Sequence, residues 1–162
     1  MSAPDPAPGS PDPRLVALFT VVAWIATVVA AFGILSLALD MEVVAQAAAG
    51  PLLAPIMVVA AAVVLFLLLV RVIGTRQPPG VSFVGLAAGV FLTLLIVGGV
   101  TFTVITADPV QLLFFPLNYA ASPFVVAAAL LAGLTGPIAL GVLGRAERGD
   151  KPRWPWEDRE QS

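Results

Sequence analysis

Four long stretches of this chain carry no ionisable side chain, and they leave it few ways to fold. Leu15 to Leu39, Leu52 to Val70, Val81 to Thr106 and Pro123 to Leu143 are dominated by Ala, Val, Leu, Ile, Phe and Gly. A helix rises about 1.5 Å per residue, and a hydrocarbon core about 30 Å thick needs about 20 apolar residues to cross. Each stretch is near or beyond that length. Hydrophobic residues make up 59% of the chain and charged ones 11%, against about 45–50% and about 25% in an average soluble domain. A soluble enzyme cannot hide that much apolar surface, and a disordered chain would need far less of it. The expected fold class is all-α: a polytopic integral membrane protein built as a four-helix transmembrane bundle, with spans over about 15–39, 52–73, 81–106 and 121–144.

The first stretch has a secretory signal peptide as its competing reading. Such a peptide has an apolar region of about 7–15 residues behind a basic start. Here the run is longer, and Asp5 and Asp12 precede Arg14, which favours a retained anchor. Trp24 lies well inside the run and reads as a packing residue, not as part of an aromatic belt.

Charge then orients the spans. Arg14 precedes the first, Arg71 and Arg76 separate the second from the third, and Arg145, Arg148, Lys151, Arg153 and Arg159 follow the fourth. The opposite connections hold Asp40, Glu42 and Asp108 and no Lys or Arg. Basic residues in short connections stay cytoplasmic. Both termini are therefore expected inside the cell membrane, with two acidic connections outside. A single lysine beside an excess of Arg, Ala, Val, Gly and Pro points to a GC-rich bacterial coding bias.

The connections have their own signals. Residues 1–14 are rich in proline, which removes backbone donors and fixes φ; they read as a disordered cytoplasmic tail, with a docking peptide as the alternative. Gly74 is placed to cap the second helix, and Pro78-Pro79 to stop it. Val110 to Ala120 is apolar, too short to cross, and interrupted by Pro116. Its Phe114, Phe115 and Tyr119 suggest a segment at the membrane surface or a shallow re-entrant piece. Residues 145–162 form a charged cytoplasmic tail in which Trp154 and Trp156 sit at headgroup level or bind a partner.

In lipid, helices associate through close packing at small residues. Gly85 and Gly89 form a GxxxG pair in the third span. Ala129, Gly133, Pro137 and Gly141, each four apart, line one face of the fourth. These faces are expected to pack within the molecule, or else between subunits. Pro137 should kink the fourth span, with Thr135 satisfying freed backbone groups.

Little chemistry is encoded. The absence of Cys and His removes disulfides, Fe–S clusters, Cys/His zinc sites and histidine bases. A net charge of −2 offers no basic surface for nucleic acid. No carboxylate or cation lies well inside a span, where proton relays are usually found. Thr93, Thr101, Thr103 and Thr106 could line a pore, or bond the preceding turn of their own helix. Asp40, Glu42, Asp108 and Asn118 could form an outer cation or acid–base site. No catalytic residue, metal site or cofactor is expected. The leading expectation is a non-enzymatic accessory, scaffolding or assembly component that meets the lipid bilayer and a larger membrane protein or a second copy. The alternatives are a small oligomeric transporter or channel subunit and, more remotely, a lipid-directed enzyme at the outer surface.

Overall fold

The computed structural model describes residues 12–40 and 52–147. The readings of the proline-rich leader, of Glu42, and of Arg148, Trp154 and Trp156 lie outside them. Among the described residues the chain is all-helical: α1 (Pro13–Leu39), α2 (Leu53–Thr75), α3 (Pro79–Thr106), α4 (Gln111–Tyr119) and α5 (Pro123–Glu147). The helices α1, α2, α3 and α5 are long and apolar enough to cross a membrane. This is a multi-pass membrane protein.

Helix ends follow local chemistry. The first helix begins ahead of the apolar run because Asp12 accepts the Arg14 N–H at 2.8 Å and Pro13 occupies the first turn, where its missing donor costs nothing. The second helix does not stop at Gly74. It continues to Thr75 and closes on Arg76, whose φ is 47°. The Arg76 N–H reaches the Ile73 carbonyl and the Gln77 N–H the Val72 carbonyl, a Schellman closure with arginine in the left-handed position. Asp40 (φ 51°) ends α1, its N–H on the Ser36 carbonyl, and Ala107 (φ 52°) ends α3, both also in the left-handed region.

Helices α2 and α5 each run antiparallel to α3. Leu68 meets Gly89 and Met57 meets Gly98 between α2 and α3, while Gly133 meets Phe83 and Gly136 meets Ser82 between α5 and α3. The first helix packs on α2 and α5, and α3 on α2, α4 and α5. Arg14, Arg71, Arg76 and Arg145 thus stand toward one end of the bundle, and Asp40 and Asp108 at the other. Val21, Val28, Leu65, Val90, Leu94 and Ala132 fill the middle, each at most 6% exposed.

The fourth wall of the bundle is made in two pieces. Tyr119 and Val125 line the same small gap as Leu94, so α5 begins near Leu94. That is twelve residues short of Thr106, or about 18 Å. The short α4 fills the difference by descending along α3. This corrects the expectation that Pro116 interrupts any helix there. The helix runs through Pro116, whose ring faces Gly99. The Leu112 carbonyl, deprived of its helical donor by the proline, faces the same glycine. Phe115, fully buried, stacks on Phe102 at 5.1 Å and reaches Gly98. At the joint the backbone bonds to itself: Ala120 N–H to Pro116 O at 2.8 Å, Ser122 to Tyr119 at 2.9 Å, Val126 to Ser122 at 3.2 Å. Donors in a hydrocarbon medium need such partners.

Candidate functional site

Helices α3 and α5 pack closely, but not through the α3 glycines that the four-residue spacing singled out. The contact uses Gly133 and Gly136. A Cβ at Gly133 would stand 3.0 Å from the Phe83 carbonyl oxygen, and one at Gly136 would stand 2.8 Å from Leu86 Cδ1 and 3.0 Å from Ser82 Oγ. Ala129 is buried and Pro137 partly so. Gly85 and Gly141 face open space, and Gly89 turns to Leu68 of α2, not to α5. Gly136, Ser82, Gly98 and Gly99 were not singled out from the sequence; only the three-residue step from Gly133 to Gly136 could have pointed to the first of them.

The polar side chains mostly serve their own helices. Thr93 donates to the Gly89 carbonyl at 2.7 Å and Thr106 to Phe102 at 2.9 Å. Thr101 is partly exposed. The Thr103 hydroxyl is buried with no hydrogen-bond partner. Thr135 donates to the Ala132 carbonyl at 2.6 Å, whereas the carbonyl that Pro137 frees is that of Gly133; the expected compensation by Thr135 is not made. The helix passes through Pro137 without ending. Asp108 is used locally: Oδ1 accepts the Val110 N–H at 3.0 Å and Oδ2 the Gln111 side-chain amide at 3.3 Å. Those bonds start α4. Asn118 is exposed on α4.

A concavity lies between α1 and α5, a groove of about 630 Å³. Its α1 wall repeats every three or four positions from Asp12 through Val16, Thr20 and Trp24 to Thr27; its α5 wall does so from Leu131 through Thr135 and Ile138 to Val142. Trp24, 3% exposed, ties the two helices together by donating its indole N–H to the Ala128 carbonyl at 3.2 Å. Farther along, Phe32 meets Phe124 edge to face at 5.4 Å. The groove is therefore shut at its inner end and open at the Asp12 end. Thr20 and Thr27 bond the Val16 and Ala23 carbonyls of their own helix, so their hydroxyl oxygens add only weak polarity to an apolar surface.

By contrast, the gap among Phe32, Met57, Leu94 and Tyr119 measures about 10 Å³, which is at most room for one water. Among the described residues, no group of three His, Cys, Asp or Glu could hold a metal ion.

No curated protein and no solved structure is found to match this chain. One family model does match, over residues 13–162, a range that takes in every helix described above and the whole of the groove except Asp12. On that match the chain belongs to the family described as "Family of unknown function (DUF6121)".

Proposed function

We propose that the protein is a non-enzymatic accessory or assembly component of a bacterial cytoplasmic membrane, with both termini in the cytoplasm, and that α1 is the helix it offers to a larger membrane protein. The observation that carries this reading is the position of α1. Its window is 22% buried, against 28% for α3, 39% for α2 and 44% for α5; α3 packs on α2, α4 and α5 while α1 packs on α2 and α5, and Phe19, Val22, Val29, Ile34 and Leu37 all face outward. Helices in lipid gain stability only from packed neighbours, so a lightly held helix has the most to gain from a partner. The filled middle of the bundle supports a packing role over a transport path through one chain. The arginines at one end support the orientation, because short basic connections stay inside.

The test is in-cell photo-crosslinking from Val22 and Val29, with Val126 and Leu130 on the far side as controls. The same membrane protein captured from both α1 sites and from neither control supports the reading. A stable, adduct-free monomer argues against it. Solute flux through liposomes holding the pure protein would replace it with the small oligomeric transporter or channel.

A further inference from the structure

We propose that the groove between α1 and α5 holds one acyl chain of a phospholipid whose headgroup carries both a phosphate and a primary ammonium. The first argument is depth. The α1 wall of the groove runs from Asp12 to Thr27, a rise of about 22 Å. Beyond it the walls close, with Val28 at 0% exposure and Phe32 on Phe124. A transmembrane helix must cross all of a core about 30 Å thick and would run into this closure. A lipid occupies one leaflet, about 20–22 Å deep with its headgroup, and stops where the groove stops.

The second argument is lining. Leu15, Val16, Phe19, Leu131, Leu134 and Ile138 face the groove, apolar walls that a hydrocarbon chain meets without leaving a polar group unpaired.

The third argument is the charge at the mouth. Asp12 begins the α1 wall, with one carboxylate oxygen held by the Arg14 N–H at 2.8 Å. On α5 the lining stripe of Leu131, Leu134, Ile138 and Val142 continues at the next three-residue step to Arg145, which is exposed. A carboxylate on one wall and a guanidinium extending the other fit a zwitterion. The phosphate goes to Arg145 and the ammonium donates to Asp12. A headgroup with no cation offers the Asp12 carboxylate nothing beyond the Arg14 N–H that it already holds, and a quaternary ammonium has no N–H to give. Which leaflet supplies the lipid rests on the orientation proposed above; the fit of the groove does not.

Trp24 reports on the groove directly, and with Trp154→Phe and Trp156→Phe it is the sole indole. The protein is placed in phosphatidylglycerol vesicles containing a small minority of phosphatidylethanolamine with brominated acyl chains. The comparison has the same mixture with bromine on an equal minority of the phosphatidylglycerol. The ethanolamine lipid is expected to quench Trp24 about threefold more, the preference an exposed ion pair supports. Asp12→Asn keeps the helix cap and should erase that preference. Ala23→Leu with Thr27→Leu fills the groove and should bring quenching by the ethanolamine lipid down to that of the glycerol lipid. Equal quenching by both lipids in the otherwise unaltered protein overturns the proposal, as does a preference that survives the filled groove. A polypeptide crosslinked from Ala23, whether a partner's helix or a second copy, also overturns it. The quenching readouts depend on neither the α1 partner nor membrane orientation.

Discussion

Gly133 and Gly85 look alike in the sequence and stand in opposite circumstances. An added methyl at Gly133 meets the Phe83 backbone, which cannot swing aside, while one at Gly85 meets nothing within 4 Å. Gly133→Ala should therefore force α3 and α5 apart and cost about 1–3 kcal/mol, whereas Gly85→Ala should change stability by less than about 0.5 kcal/mol. Reversible unfolding in mixed micelles, followed by circular dichroism, would show the contrast. A second residue-scale expectation concerns Ala107, which ends α3 at φ 52°. An L-residue pays about 1–2 kcal/mol for that conformation. Ala107→Gly should recover up to about 1 kcal/mol, the added chain freedom of glycine offsetting the rest, and the same assay would register a rise. Neither feature could be read from the residues. Gly and Ala are so common in these spans that four-residue spacing marks no phase, and Asp40, Arg76 and Ala107 lack the glycine that usually announces a left-handed helix end.

At the scale of elements, the spans were legible and their faces were not. A run without charges specifies a helix in lipid whatever its neighbours do. The face that turns inward is specified by contrast between apolar and polar sides, and these helices are apolar all round. The short α4 shows what a local reading misses. Pro116 is a breaker by its own chemistry, yet α3 presents Gly98 and Gly99, far off in sequence, as slots for Phe115 and Pro116. Phe115→Ala would empty the first slot. It should cost about 3 kcal/mol and loosen α4 selectively. Hydrogen exchange would then rise across Gln111–Tyr119 while α2 stays protected. Exchange that rises equally in α2 would show that α4 is a structural part of the main bundle, not an element docked onto it.

For the whole molecule, the separation of charge gives a direct test of orientation. The chain has no cysteine, so single cysteines can be introduced without background. In intact cells, a membrane-impermeant maleimide should label Asp108→Cys and leave Thr75→Cys unlabelled until the membrane is opened. The reverse pattern would invert the molecule. The groove was hidden from sequence reasoning for a physical reason: its two walls come from opposite ends of the chain, and each wall alone is an ordinary apolar helix face. Its only sequence trace is Trp24, a large side chain with one donor, placed where lipid offers that donor no acceptor.

The bond from Trp24 to Ala128 joins residues 104 positions apart, and that distance orders events during synthesis. The first helix leaves the ribosome at the start, but its wall against α5 cannot form until nearly the whole protein has been made. Until then α1 waits in the bilayer with its indole donor unmet, held only by what α2 provides. Biogenesis thus leaves a period in which the nascent chain carries an unclosed edge, and any chaperone or insertion factor that attends it would find that edge on its earliest-made segment.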